Sequence, residues 1–210
     1  DEVFGSQQLE QEAVDETTIL NPTSPYSSSK AAADMLAISY IHSFNLPIII
    51  TRSNNIYGIR QYVEKVIPKF INQVRLNKKI TIHGDGSSLR NFLHLDDVVN
   101  AFDTILFNGV IGEIYNIGGS NEKTVLEIAK EVLTNFGHNE TDFKNYINFV
   151  EDRAFNDFRY HINSDKIKKL GWTEKVSWEE GFKNTFDWYL KNFDRFPNSE
   201  VYLEAHPKIY

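Results

Sequence analysis

A chain of 210 residues can hold one sizeable domain or two small ones, and 41% apolar with 24% charged residues suits a globular core. A formal net charge of −7 argues against nucleic acid as the main partner, because a phosphate backbone calls for a basic surface. The absence of cysteine removes disulfides, thiolate metal sites and a cysteine nucleophile, and fits a reducing compartment.

The chain opens "DEVFG", where two carboxylates, Asp1 and Glu2, run straight into an apolar pair and a glycine. Val3-Phe4-Gly5 reads as the end of a buried strand entering a turn. A strand end without a start leads us to expect that the stretch comes from inside a longer protein. "NPTSPYSSSKAAADMLAISYIHSF" then predicts a loop with two prolines followed by a helix whose apolar face reaches Ile41 and His42. "PIIITRSNNIYG" is a short β-branched run of the fully buried, parallel-sheet type. Strand, helix and strand together predict a βαβ unit. The longest apolar run, Leu46–Ile50 with its proline, is far too short to span a membrane.

"VEKVIPKFINQVRLNKK" predicts an amphipathic helix with Pro68 near its start, and "ITIHGDGSS" a short strand and turn. "LDDVVNAFDTILFNG" predicts a helix with acidic residues in its first turn, which suits the helix dipole, and a stop at Gly109. "GEIYNIGG" reads as a strand. "TVLEIAKEVLTNFG" carries a capping box, Thr124 with Glu127, and "SWEEGFKNTFDWYLKNF" repeats that logic from Ser177 and Glu180. The last stretch, "DRFPNSEVYLEAHPKIY", has no clear period and is expected as loop or tail.

Two clusters could do chemistry. Tyr26 and Lys30, in "YSSSK", share one helix face at i and i+4. An ammonium beside a phenol favours the phenolate, which makes a tyrosine usable as a base. By itself such a pair is common and equally opens an ordinary amphipathic helix; its place inside a predicted βαβ unit is what singles it out. Asp1 and Glu2 read alone as solvated surface. At the end of a buried strand they need a reason, and such strand ends line the ligand crevice of a Rossmann-like sheet. Two carboxylates there can supply one acid and one base, provided the backbone turns so that both face one substrate. The histidines show no metal-ligand spacing; His94 and His161 read as local hydrogen-bonding residues, and the ten tyrosines and three tryptophans as packing.

Through these residues the chain resembles the nucleotide-sugar 4,6-dehydratases of the extended short-chain dehydrogenase/reductase family. The Asp-Glu pair is the signature of that branch; related epimerases and decarboxylases usually lack it. "NPTSPYSSSK", "TRSNNIYG", "VEKVIPKFI", "IHGDGSSLRNFLHLDDV", "GEIYNIGG", "FNDFRY" and "KKLGW…SWEEGFKNTFDWY" follow in the family's order across almost the whole chain. The resemblance implies an α/β fold: a partial Rossmann-like parallel sheet (1–58 and 91–110) with a smaller C-terminal α/β substrate-binding lobe (59–90 and 111–210). It implies conversion of UDP-glucose or dTDP-glucose to the 4-keto-6-deoxyglucose nucleotide, a first step towards rhamnose-type sugars.

The resemblance also implies site roles. Tyr26, assisted by Lys30, would take the 4-hydroxyl proton while NAD takes the hydride; Glu2 would remove the C5 proton and Asp1 protonate the departing C6 hydroxyl. Tyr26, Lys30 and Ile56 match cofactor-contacting positions. Asn55, Lys65, Val66, Thr81, Ile82, His83, Arg90, Arg153 and Asn156 match substrate-contacting ones, the arginines on phosphate. Arg90, Arg153 and Lys65 taken singly also read as ordinary surface or helix-end residues. Asn156 stands where many members have histidine. Ile59 and Val63 replace usual prolines, losses expected to loosen their loop, and Phe4 replaces tyrosine. A homodimer through the helix that begins at Tyr26 is implied, a cytoplasmic location is expected, and no metal, nucleic-acid or membrane partner is.

One element of that pattern is missing. A nicotinamide enzyme needs a glycine-rich turn leading into a helix N-terminus to approach the pyrophosphate. Among eleven glycines the nearest string is Gly84-Asp85-Gly86-Ser87-Ser88-Leu89, which follows the wrong strand. The chain is therefore expected to be the C-terminal part of a dehydratase, keeping the catalytic residues and sugar-nucleotide lobe without holding NAD unaided.

Overall fold

The computed structural model describes residues 1–153, 155–197 and 199–205. They form two compact units: 1–56, 90–122 and 157–176 make the first, and 57–89, 123–156 and 177–210 the second.

The first unit begins with a 3-10 turn over Glu2–Phe4, capped by Asp1, whose carboxylate accepts from the Glu2 N–H. This corrects the expected strand end. Two apolar residues behind two acids satisfy a capped turn as well as a strand, and Val3 and Phe4 are buried either way. Gly5 closes the turn at φ 79, and a Cβ there would lie 2.6 Å from the Asn21 carbonyl oxygen.

Helix α1, Pro25–Phe44, starts where Ser24 and Ser27 form a capping box with proline in the first turn, and ends at Asn45 in the left-handed region, φ 54. Its apolar residues point all round rather than to one face: only Ser27 and Ala31 are buried, while Met35, Leu36, Tyr40 and Phe44 are exposed. No described strand precedes α1, so the expected βαβ unit is not the one that forms. Strands β1, Ile50–Ser53, and β5, Ile114–Ile117, instead pair in parallel, with Ile50 opposite Ile114 and Ser53 opposite Ile117. Helix α3, Leu95–Asn108, lies between them in sequence. It buries Val98, Ala101 and Ile105 with Leu93, Tyr115, Ile117, Ile167 and Trp172 in one core. β5 therefore belongs with β1, which brings 111–122 and 157–176 into the first unit rather than the second lobe.

Asp97 on α3 is fully buried, and its carboxylate accepts from the backbone N–H groups of Lys175 and Val176 at 2.9 and 3.0 Å. Asp97→Ala would leave both donors unanswered. It is expected to cost about 2–4 kcal/mol in urea unfolding, more than Asp97→Asn, which keeps one acceptor.

In the second unit, α2, Val66–Arg75, packs against α4, Val125–Asn135, and α7, Trp178–Asn192. α4 carries the full Thr124–Glu127 capping box; at α7 Ser177 accepts from the Glu180 N–H. β3, Ile80–His83, pairs in parallel with β7, Ile147–Val150. Short helices α5, Phe143–Tyr146, and α6, Asp165–Lys168, complete the set, α6 in the first unit. The strands β2, Asn55–Tyr57, β4, Leu89–His94, and β6, Asn121–Thr124, form a sheet in the order β2-β4-β6.

The last stretch is more ordered than its composition implies. Phe193–Arg195 and Ser199–Leu203 are 3-10 turns, Leu203 is buried, and α2 holds the carbonyl groups of Leu203 and Glu204 through Gln73 and Lys69 at 2.7 and 2.6 Å. Segments this short have no room for a hydrophobic period. Residues 206–210, the end of that expected tail, lie outside the described residues. The loop expected to be loosened by Ile59 and Val63 is held as well: Val63 is fully buried and the Tyr189 hydroxyl donates to the Gln61 carbonyl.

Candidate active site

The first unit holds Asp1, Glu2, Tyr26, Lys30, Asn55, Ile56 and Arg90. The capped turn sets the two acids apart in kind. Asp1 is committed: one carboxylate oxygen accepts from the Glu2 N–H at 2.9 Å, the other from Asn54 Nδ2 at 2.8 Å. A proton on Asp1 would share its oxygen with one of these contacts, since a carboxylic acid keeps acceptor capacity beside its O–H. The Glu2 carboxylate makes no hydrogen bond or ion pair among the described residues. The turn is tied to the rest of the unit by the Asp1 nitrogen donating to Ser53 O at 3.0 Å and the Asn21 N–H donating to Val3 O at 2.9 Å.

Tyr26 is the second residue of α1 and Lys30 lies one turn on, both exposed. Neither the Tyr26 hydroxyl nor the Lys30 ammonium has a hydrogen-bond partner among the described residues. The Asn55 side chain is likewise uncommitted, whereas Ile56 packs against the core around Leu93 and Ile117. Arg90 is engaged: it donates to the carbonyl oxygens of Asp157 and Phe158 at 2.8 and 3.2 Å, and its guanidinium lies 4.8 Å from the centre of the Tyr160 ring.

The second unit holds the others. Lys65 is the N-cap position of α2, exposed and 3.1 Å from the Glu64 carboxylate, with Val66 the first helical residue. In β3 the Ile82 side chain is fully buried, so only its backbone can face a ligand. Thr81 exchanges hydrogen bonds with the Gln73 amide, and His83 Nδ1 lies 3.2 Å from Glu151 O. Arg153 reaches Asn156 Oδ1 at 3.5 Å, and Asn156 Nδ2 donates to Ser88 Oγ at 2.9 Å and Asp152 Oδ1 at 3.2 Å. Asparagine at position 156 thus knots its own loop through donors that a histidine would not duplicate. Lys69, one turn beyond Lys65, has its pKa lowered from the ordinary 10.5 by burial and then by the charge of Arg153.

Several polar residues escaped the sequence reading. Asn54, which braces Asp1, is 3% exposed, and its Oδ1 has no partner among the described residues. Its signal was the Asn-Asn pair after a strand, where alternation buries one of the two. Asp157 and Tyr160 are buried and meet the exposed Thr23; "FNDFRY" carried two of the three, but the contact of Asp157 to Thr23 spans 134 residues. Burial, Asp157 and the Glu2 charge push the Tyr160 phenol above the usual tyrosine range.

His161 is shifted the other way. Burial first, then the Arg159 guanidinium, lower its pKa below 6.5. The folded state then binds fewer protons than the unfolded chain in the window immediately below pH 6.5. Stability is complete above that window and falls as pH is lowered through it. His161→Gln is expected to flatten this part of a Tm-against-pH curve while leaving the limb above pH 6.5 in place.

The described residues fit a nicotinamide dinucleotide in part. The uncommitted Tyr26 hydroxyl and Lys30 ammonium suit its reacting end. Among the described residues the pyrophosphate has no counterpart cradle: Gly84 and Gly86 have positive φ, but a Cβ on Gly86 would sit 3.0 Å from Ile82 Cγ2 and 3.1 Å from Leu126 Cβ. That turn is closed by packing and continues into a strand.

The family model described as GDP-mannose 4,6 dehydratase matches residues 1–185. The chain is 49% identical over 209 residues to a dTDP-D-glucose 4,6-dehydratase of Mus musculus, covering 99% of this chain and 58% of that protein. It is 44% identical over 211 residues to an Arabidopsis thaliana trifunctional UDP-glucose 4,6-dehydratase/UDP-4-keto-6-deoxy-D-glucose 3,5-epimerase/UDP-4-keto-L-rhamnose-reductase, covering all of this chain and 31% of that protein. The structure superposes on a dTDP-glucose 4,6-dehydratase from Bacillus anthracis, solved in complex with NAD, with a TM-score of 0.87 at 40% identity. That match covers 94% of this chain and 62% of the other. The chain thus spans a little over half the length of the single-function relative.

Proposed function

Since the chain belongs to the GDP-mannose 4,6 dehydratase family, we propose that it carries the catalytic groups and sugar-nucleotide lobe of a nucleotide-glucose 4,6-dehydratase acting on UDP-glucose or dTDP-glucose. The observation that carries this reading is the pair of unlike acids on one capped turn, Asp1 braced at both oxygens and Glu2 free, in the same unit as the uncommitted Tyr26 and Lys30.

The Tyr26 oxygen takes the proton of the sugar 4-hydroxyl, and the Lys30 ammonium stabilises negative charge on that oxygen. NAD, when bound, supplies the hydride acceptor for C4 and later the hydride donor for C6. Once C4 is a ketone its neighbouring C5 proton is acidic, and Glu2 removes it. Asp1 gives its proton to the C6 hydroxyl, which leaves as water, so the C5–H and C6–O bonds break and a C5–C6 double bond forms. Addition of hydride at C6 is balanced by return of a proton to C5; the product keeps its C4 ketone, so Tyr26 loses its proton to solvent and Asp1 regains one from solvent before the next turnover. Arg90, Arg153, Lys65, Val66, Asn55, Asn156 and the β3 residues Thr81, Ile82 and His83 are proposed contacts to the nucleotide and diphosphate, and Ile56 to the cofactor.

A homodimer is proposed through α1, whose exposed Met35, Leu36, Tyr40 and Phe44 leave an apolar helix uncovered in a single copy. No helix among the described residues is long and apolar enough to cross a membrane, and a cytoplasmic location is proposed. Incubation of the protein that carries this chain with UDP-glucose or dTDP-glucose and NAD tests the reading. A 4-keto-6-deoxy product is expected; a 4-epimer, a pentose or unchanged substrate would overturn it.

A further inference from the structure

Asp157 is 4% exposed and lies far in sequence from every acid assigned a chemical step. Thr23 Oγ1 lies 3.2 and 3.1 Å from its two carboxylate oxygens, and the Tyr160 hydroxyl donates to one of them. Thr23 is no ordinary loop residue. Its N–H and that of Ser24 both reach Ser27 Oγ, at 3.2 and 2.9 Å, so Thr23 is part of the cap that starts α1 three residues ahead of Tyr26. The residue after Asp157 grips the other catalytic segment: the Phe158 N–H donates to Ser6 Oγ at 2.9 Å, directly behind the turn that bears Asp1 and Glu2. Arg90 fixes both carbonyl groups of this Asp157–Phe158 pair and covers the Tyr160 ring.

We infer that Asp157 is a positioning residue for the proposed reaction, holding the capped start of the Tyr26 helix against the Glu2 turn through Thr23 and Tyr160. It touches no reacting atom. Among the described residues its carboxylate is the group that answers Thr23 and Tyr160 together, while the adjoining backbone holds Ser6. Burial, Asp157 and the Glu2 charge push the Tyr160 phenol up, which keeps it a hydrogen donor toward Asp157 in the neutral range. A proton acceptor and a C5 base must approach neighbouring atoms of one hexose, and a misplacement of about 1 Å can cost roughly a hundredfold in rate.

The inference rests on the proposed dehydratase reading, and the test separates the two. In the protein that carries this chain, Asp157→Asn and Thr23→Val are expected to lower kcat by roughly 10- to 100-fold with little change in KM for the sugar nucleotide. Thr23→Ser restores the rate, and the double variant loses no more than the worse single one, because both act on one bond. A lowered Tm with kcat and KM unchanged in the folded protein would make Asp157 purely structural and overturn the inference. Amide hydrogen exchange needs no turnover. Both variants are expected to speed exchange at Ser27 and Ser28 in the first turn of α1 and at Phe4 and Gly5, leaving α3 unchanged. Unaltered exchange at these amides overturns the inference even if the wild-type protein proves to catalyse something else; normal exchange effects with no 4-keto-6-deoxy product would instead overturn the dehydratase reading alone.

Discussion

Tyr26→Phe is expected to lower turnover of the sugar nucleotide by roughly 10²–10⁴-fold, the range for losing a positioned general base, with KM and Tm close to those of the unaltered protein. The side chain is 61% exposed and its hydroxyl bonds to no described residue, so removing one oxygen takes nothing from the fold. Lys30→Met should show a loss of the same kind. Steady-state kinetics beside a thermal melt checks both. A Tyr26→Phe protein that turns over at the original rate would remove this residue from the chemistry, whatever the product.

Glu2→Gln is expected to separate the steps that Tyr26→Phe stops together. Oxidation at C4 needs only Tyr26 and the hydride acceptor, so it survives; removal of the C5 proton does not, and water release should fall by roughly 10²–10⁴-fold. Rapid quenching followed by mass spectrometry should find a 4-keto hexose nucleotide that still carries its C6 oxygen. Asp1→Asn should behave differently. Its amide oxygen can still accept from Asn54 or from the Glu2 N–H, so the turn is kept, but it has no acidic proton for the leaving hydroxyl. C5 exchange with solvent should then persist while elimination slows. Equal effects of the two substitutions on C5 exchange would contradict the division of labour between them.

Local signals carried much of the fold. The Thr124–Glu127 box starts α4, Ser24-Pro25 starts α1, and Pro68 sits in the first turn of α2, all of them written within four residues of sequence. Val3-Phe4 was misread because burial and apolar character are common to a strand end and a capped 3-10 turn; the Asp1 carboxylate on the Glu2 N–H decided it. The tail over Ser199–Leu203 was missed because its order comes from Gln73 and Lys69, more than a hundred residues away. The same holds at the site. Tyr26, Lys30, Asp1 and Glu2 were legible as short patterns, while Asn54 bracing Asp1, and Thr23 with Asp157, depend on partners that only folding brings near.

The central proposal is that this chain's residues move the protons that accompany hydride transfer from C4 to bound NAD, eliminate water across C5 and C6, and allow the same hydrogen to return at C6. Nucleotide glucose deuterated at C4, turned over by the protein that carries this chain in ordinary water, tests it most directly by NMR of the product. The label is predicted at C6 of a 4-keto-6-deoxy sugar, with an unlabelled proton from solvent at C5. Deuterium retained at C4 of an inverted sugar, or lost to solvent, would contradict it.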